Sequence, residues 1–120
     1  EDESAKQKYI DAGIEMIQVK SVEGHLDLME LMIRLGELGI DSILLEGGGT
    51  LNYSALKAGI VQEVHVYLGP KIFGGAGIYS PVGGEGVDSP EEAFIFQKPK
   101  IMRLGDDILV EYEVKPKEGN

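Results

Sequence analysis

The sequence of 120 residues contains no cysteine, and this absence excludes several kinds of site. Without cysteine there is no disulfide framework, no cysteine-ligated zinc and no thiol nucleophile. Positive charge is also scarce, since 11 Lys and Arg residues stand against 21 Asp and Glu residues and give a net charge of −10. That balance argues against a broad nucleic-acid-binding surface and against adhesion to an anionic membrane.

Long apolar runs are missing as well. No run approaches the roughly 20 residues that a membrane-spanning helix needs. Residues 1–4 lack the basic and apolar regions of a signal peptide. We therefore expect neither a nucleic-acid nor a membrane partner, and a cytoplasmic location fits this composition. The length favours one domain over two.

Hydrophobic periodicity predicts alternating helices and strands over the first 70 residues. One leucine-rich stripe follows a predicted N-cap at Asp27, with Glu30 at the capping-box position, and ends at Gly39, which is typical of a helix packed on a core. The predicted helices span residues 4–12, 28–38 and 51–58, and the predicted strands span residues 14–19, 40–45 and 61–68. This alternation favours an α/β fold with a mostly parallel sheet.

The last 50 residues follow a different pattern. Residues 69–86 are rich in glycine and proline, which predicts an irregular surface segment. Two predicted strands at 94–104 and 108–115 indicate a C-terminal antiparallel hairpin. Pro99 interrupts the first of these strands and predicts an edge position or a bulge there.

The clearest functional signal lies in residues 44–52, where three glycines stand between a predicted strand and a predicted helix. Glycines let the backbone turn tightly and approach a ligand without a clash from Cβ. The following helix directs its free N–H groups and positive dipole end at the turn, which suits a phosphate or pyrophosphate. Thr50 or Asn52 is expected to cap this helix. The alternative is a flexible turn that binds nothing, since the pattern is neither a Walker loop nor a Gly-x-Gly-x-x-Gly fingerprint.

Glu46 precedes the three glycines and follows the predicted strand 40–45. A carboxylate at the carboxyl end of a parallel strand lies at the edge where open α/β sheets bind ligands. Its charge would repel a phosphate beside it, so hydroxyl or amino groups of a second ligand are better partners. The alternative is a surface glutamate or a helix cap.

A second glycine cluster at residues 69–75 follows the predicted strand 61–68 and would open on the same edge of the sheet. Lys71 within it is either a contact for an anionic ligand or a solvated lysine near a turn. His25 and His65 share no metal-ligand spacing, and no Ser-His-Asp set is present. We therefore expect no metal site.

Several of these motifs together resemble the reductase family of riboflavin biosynthesis, and its archaeal members above all. The central motif reads Glu46-Gly47-Gly48-Gly49-Thr50-Leu51-Asn52. The resemblance covers nearly the whole chain in order and is carried by residues 39–52, 59–67, 70–75 and 103–109.

The resemblance implies a fold like that of dihydrofolate reductase, with this chain as its C-terminal half. It implies NADPH as cofactor and a phosphorylated ribosylaminopyrimidine as substrate, whose ribosylamino group is reduced to ribitylamino. By the motif, the cofactor phosphates would be held by Gly47, Gly48, Gly49, Thr50 and Leu51. Glu46 would face the ribose or the pyrimidine, and related reductases imply a homodimer.

The chain departs from the family pattern in one respect. Family members are longer and carry a Thr-x-Asp-Gly-Lys motif in an N-terminal half, which nothing here matches. We therefore expect residues 1–120 to be the C-terminal, cofactor-binding part of a reductase domain, inactive alone. The other hypothesis is a non-catalytic module that binds a phosphorylated ligand or nucleotide.

The reduction itself leaves the role of Glu46 open. Hydride chemistry belongs to the cofactor, while the protein supplies position and electrostatics. The nicotinamide must be held within reacting distance of the sugar carbon, and a proton donor is needed nearby. Glu46 is the local candidate, either as that donor or as a hydrogen-bonding anchor, and no catalytic residue is assigned.

Overall fold

Helices and strands occupy much of the computed structural model, which describes residues 3–72, 74 and 80–116. The chain divides into two units, Glu1–Ile43 and Leu44–Asn120. The first contains helix α1 (Glu3–Asp11), strands β1 (Ser21–Val22) and β2 (His25–Leu26), and helix α2 (Leu28–Glu37). The second contains helix α3 (Gly49–Lys57), strand β3 (Glu63–Leu68), a 3-10 helix (Pro90–Glu92), and strands β4 (Phe96–Leu104) and β5 (Asp107–Val114). No helix in the described part of the chain has the length and apolar character that crossing a bilayer requires.

Helix α2 begins where the sequence predicts it, because Asp27 caps it. The Asp27 carboxylate accepts a hydrogen bond from the backbone N–H of Glu30 at 3.0 Å. The Glu30 carboxylate does not complete the predicted capping box toward Asp27. It accepts instead from the backbone N–H of Lys20 at 2.9 Å, which ties the start of α2 to the residues before β1. The helix ends before Gly39, whose φ of +82° is the left-handed conformation expected of a helix stop.

Strands β1 and β2, of two residues each, form a short hairpin that the sequence did not predict. Ser21 pairs with Leu26 and Val22 with His25 in antiparallel register. Glu23 and Gly24 connect them with φ values of +51° and +80°. Positive φ at both central residues defines the type I′ turn, which matches the twist of paired strands.

The second unit contains a three-stranded antiparallel sheet in the order β3-β5-β4. Glu63 pairs with Glu113 across β3 and β5, and Leu104 pairs with Asp107 at the β4–β5 turn. The predicted C-terminal hairpin is therefore confirmed. The register shifts between Gln97 and Lys100, so the bulge predicted from Pro99 is also present.

The α/β composition is confirmed, whereas the predicted parallel pairing is not. All strand pairs among the described residues are antiparallel. The predicted strands at residues 14–19 and 40–45 form neither helix nor strand and have no ladder partners among the described residues. A strand exists only where a neighbour supplies ladder hydrogen bonds, and these two segments have no ladder partner among the described residues. The N–H groups of Ile14 and Ile40 donate instead to the carbonyls of Tyr9 and Leu35, in the helices that precede them.

Burial is concentrated in the second unit. The hydrophobic residues that are buried among the described ranges are Tyr53, Ala55, Leu56, Leu109 and Val110. Helix α2 has no fully buried residue, although its predicted apolar stripe is present and half-buried at most positions. Residues 40–45 are exposed as well, with Leu44 at 79%. An apolar run of this kind is typical of a buried parallel strand, but in this structure it is exposed.

Candidate functional site

A cleft of about 740 Å³ opens at the start of helix α3. One side is formed by Glu46, the three glycines that follow it, and Thr50. The other described lining residues are Asn52, Ser80, Pro81, Gly83 and Gly84. The structure thus brings five of the six predicted site residues to one cleft. Leu51, the sixth, does not line it.

The backbone at the start of α3, beside this cleft, has donors that lack a partner within the helix. The first hydrogen bond of the helix runs from the N–H of Asn52 to the carbonyl of Gly48, at 3.1 Å. The N–H groups of Gly49, Thr50 and Leu51 precede that bond and therefore have no acceptor within the helix. Free N–H groups and the positive end of a helix dipole form an arrangement that attracts anions.

The predicted side-chain cap of α3 is wrong. Gly48 is the N-cap residue, with φ −62° and ψ 164°, and no side chain caps the helix. Thr50 lies inside the first turn, because the helix begins two residues earlier than the sequence predicts. The Asn52 amide donates to the carbonyl of Pro81 at 2.8 Å.

The three glycines differ in the space around them. A Cβ on Gly47 would lie 2.6 Å from Cδ2 of Leu51, so the Leu51 side chain packs against the turn from outside the cleft lining. A Cβ on Gly49 would lie 2.6 Å from the Ser80 carbonyl oxygen and 2.9 Å from the Gly83 nitrogen. A Cβ on Gly48 would meet nothing within 4 Å. Gly49 is therefore required by packing against backbone, whereas a Cβ at Gly47 needs only a shift of the Leu51 side chain. Gly48 leaves open space that a bound group can use.

Glu46 carries the only acidic side chain among the described lining residues, and no lysine or arginine accompanies it there. Its side chain is exposed, and it is not the cap of α3. The cleft therefore combines backbone donors at the turn with one carboxylate at its edge. An anionic group fits the donors, while the carboxylate favours a neutral or cationic hydrogen-bond donor.

Other residues considered from the sequence lie elsewhere. Lys71 is exposed and is not among the described lining residues, and its neighbours Phe73 and Gly75 lie outside the described residues. His65 lies on β3, 3.5 Å from a Glu63 carboxylate oxygen and 3.9 Å from one of Glu111. Within the described ranges, no group of three His, Asp or Glu side chains is placed to hold a metal ion.

The sequence interpretation missed the second wall of the cleft. Ser80, Pro81, Gly83 and Gly84 belong to the segment that was predicted only as irregular surface. The pair Gly83-Gly84 next to Pro81 was the available signal, since such pairs mark turns and close backbone approach. These residues follow the glycine turn by about 30 positions, so no local sequence pattern links the second wall to the turn.

Comparison with known proteins gives this cleft a family context. The sequence profile of the RibD C-terminal domain matches residues 2–110. The riboflavin biosynthesis protein RibD of Actinobacillus pleuropneumoniae is 42% identical over 102 residues, which are 85% of this chain and 27% of that protein. The 2,5-diamino-6-ribosylamino-4(3H)-pyrimidinone 5′-phosphate reductase of Methanothermobacter thermautotrophicus is 44% identical over 90 residues, which are 75% of this chain and 42% of that enzyme.

Solved structures agree with the sequence relatives in fold. Acinetobacter baumannii RibD, form 2, superposes with a TM-score of 0.74 at 19% identity, over 91% of this chain and 29% of that one. The chain thus spans between about a quarter and two-fifths of the length of these relatives. The profile match covers most of its residues, and the chain belongs to the RibD C-terminal domain family.

Proposed function

We propose that this chain is the C-terminal, cofactor-binding part of a reductase in riboflavin biosynthesis. The proposed reaction is the NADPH-dependent reduction of the ribosylamino group of a 5′-phosphorylated diaminopyrimidinone to ribitylamino. The observation that carries the proposal is the glycine turn that opens α3 onto a cleft, in a chain 44% identical to a reductase named for that substrate.

The residues at the turn fit a cofactor pyrophosphate. The N–H groups of Gly49, Thr50 and Leu51 have no acceptor within α3, and the Thr50 hydroxyl adds a further donor at the cleft. Gly48 leaves room that a Cβ would fill. Gly47, packed against Leu51, keeps the turn tight enough for backbone to approach the phosphates. NADPH bound here would supply the hydride, and the chain would bind and orient it.

Glu46 has a separate role in this proposal. Its carboxylate lies at the cleft but would repel a phosphate placed beside it. We assign it to the substrate, where it accepts hydrogen bonds from ribose hydroxyl or pyrimidine amino groups. Hydrogen bonds to an ionised carboxylate are stronger than neutral ones, so this contact can fix the orientation of the sugar.

The proposal extends to the sheet and the oligomeric state of the complete enzyme. In the complete domain, we propose a sheet like that of dihydrofolate reductase, in which residues 14–19 and 40–45 gain the parallel neighbours that they lack here. We further propose that the complete enzyme is a cytoplasmic homodimer. The apolar side chains exposed in these two segments support pairing with further strands, and soluble oligomers are most often two-fold symmetric.

The test of cofactor binding is Gly48→Val in the complete natural protein that contains this chain. Gly48 has φ −62°, so valine fits the backbone and fills the open space. We expect NADPH affinity measured by calorimetry to fall more than tenfold, or about 1.4 kcal/mol. Gly36→Val, at another open position outside the cleft lining, is the control. Unchanged affinity in a folded Gly48→Val protein would remove the pyrophosphate assignment.

The test of the substrate contact is Glu46→Gln. Loss of one charged hydrogen bond predicts a fall in turnover of at least about tenfold, with NADPH affinity nearly unchanged. Glu63→Gln, on β3, provides the control for loss of a carboxylate outside the cleft lining. Normal turnover at saturating cofactor would contradict the role. A wild-type protein that binds NADPH but reduces no ribosylaminopyrimidine would favour the non-catalytic binding module.

A further inference from the structure

The second wall of the cleft is attached to helix α3 at several points. Asn52 donates to the Pro81 carbonyl at 2.8 Å, and the N–H of Gly83 donates to the Gly49 carbonyl at 2.9 Å. One turn further along α3, Lys57 lies 3.4 Å from a Glu85 carboxylate oxygen. The segment 80–86 therefore runs beside the helix, and its position relative to the glycine turn depends on these attachments.

Tyr53 provides the attachment that is shielded from solvent. Its side chain is only 9% exposed, and its hydroxyl donates to the carbonyl of Gly86 at 2.6 Å. Its ring packs edge to face against Phe94, with the centroids 5.9 Å apart. A buried aromatic ring held on both sides has little rotational freedom, so its hydroxyl is a fixed point for the segment that it binds.

The same ring explains the glycine at position 84. A Cβ on Gly84 would lie 2.5 Å from Cδ1 of Tyr53, and the residue has a φ of +81°. The backbone of segment 80–86 thus lies directly on the Tyr53 ring next to the residues that line the cleft. Tyr53 itself is not among the described lining residues. It contacts the wall from behind rather than the cleft.

From this geometry we propose that Tyr53 is a positioning residue for the ligand of this cleft. By holding Gly84 and Gly86, it fixes the distance between the second wall and the glycine turn, and it raises affinity without touching the ligand. Without the hydroxyl bond, segment 80–86 samples more conformations, and the ligand must order it on binding. The inference rests on the proposed function, because it takes NADPH as the ligand.

The test uses Tyr53→Phe in the complete natural protein, since phenylalanine keeps the ring and removes only the hydroxyl. We expect NADPH affinity to fall roughly three- to tenfold, the range for one neutral hydrogen bond, with kcat at saturating NADPH unchanged. Hydrogen exchange at residues 80–86 should rise, whereas exchange at strand β5 should not. Ser54→Ala is the control, because its hydroxyl bonds only within α3, to the Thr50 carbonyl at 3.0 Å.

Several results would contradict the positioning role of Tyr53 or the function on which it rests. Affinity equal to that of Ser54→Ala, or weakened affinity without faster exchange at residues 80–86, overturns the positioning role. Absence of NADPH binding in the wild-type protein instead refutes the proposed function, and the inference with it. If Tyr53→Phe does not fold, Asn52→Leu removes the neighbouring bond to Pro81, and the same rise in exchange at 80–86 is expected. Unchanged exchange in that variant overturns the proposal.

Discussion

Helices α2 and α3 differ in a way that their sequences do not indicate. Helix α2 has the stronger signals, with an apolar stripe at helical spacing and a side-chain cap from Asp27. None of its residues is fully buried. Helix α3 has a glycine cap and a weaker stripe, yet Tyr53, Ala55 and Leu56 on it are buried.

The contrast shows that an amphipathic pattern records which face a helix can bury, while burial itself depends on what is present to cover that face. The buried face of helix α3 is covered by other described residues, and segment 80–86 is part of that cover. The stripe of α2 is only half-buried at most positions, and Leu38 at its end is 52% exposed.

The contrast between the two helices predicts its largest effect on the free energy of unfolding. Truncation to alanine should cost much more on α3 than on α2. Leu56→Ala in α3 should lower the free energy of unfolding by about 2–3 kcal/mol, because a buried side chain is lost and a cavity remains. Ile33→Ala in α2 should cost less than about 1 kcal/mol, since its side chain is already exposed. Urea denaturation of the complete natural protein measures both. Equal costs would mean that the face of α2 that carries Ile33 is buried there.

A second pair of variants should change stability in opposite directions. Gly49→Ala in α3 brings a Cβ within 2.6 Å of the Ser80 carbonyl oxygen, so we expect a loss of about 1–3 kcal/mol. Gly36→Ala in α2 meets nothing within 4 Å, and we expect a gain of about 0.5–1 kcal/mol, because alanine is the better helix former. Thermal unfolding gives the sign of each change. Destabilisation by Gly36→Ala would reveal a neighbour packed on that part of α2.

The sequence predicted local features of the fold well and distant contacts poorly. The Asp27 cap, the stop at Gly39, the C-terminal hairpin and the bulge near Pro99 are each set by residues close in the chain. The predicted parallel pairing of residues 40–45 is not confirmed, because it requires a partner strand and the described residues provide none.

The same limit applies to the cleft. The first wall was predictable because Glu46 and the three glycines are adjacent in sequence. The second wall is joined to it by bonds such as that from Asn52 to Pro81, across 29 residues. Neither residue type alone indicates such a bond, so the prediction of Asn52 as a helix cap followed local statistics and was wrong.

Substitutions at the N-caps of α2 and α3 should change stability by smaller amounts. Asp27→Ala should destabilise α2 by about 1 kcal/mol, because the N–H of Glu30 loses its acceptor. Asp27→Asn keeps an acceptor oxygen and should cost less. In α3, Gly48→Ser should gain at most a few tenths of a kcal/mol, since glycine is itself a fair N-cap. Chemical denaturation of the three variants gives this order, and a neutral Asp27→Ala would contradict the assigned cap.

The smallest effects are expected from the ion pairs on the two helices. Arg34 lies 3.2 Å from a Glu37 carboxylate oxygen on α2, and Lys57 lies 3.4 Å from one of Glu85 beyond α3. All four side chains are at least half exposed, so Arg34→Gln and Lys57→Gln should each cost less than about 0.5 kcal/mol. Both costs should decrease as salt is added. A larger, salt-independent cost for Lys57→Gln would show that Glu85 helps to hold segment 80–86.

The exposed apolar segment at residues 40–45 has a practical consequence for handling the protein. It places Ile43, Leu44 and Leu45 together in solvent with no ladder partner among the described residues. Short stretches with high β-propensity and low net charge are those from which cross-β aggregates grow, and residues 40–45 carry a single charge, that of Asp41. We expect residues 1–120 expressed alone to precipitate in a concentration-dependent way. A charge introduced at Leu44, the most exposed of the three, should delay that precipitation more than any change on α3.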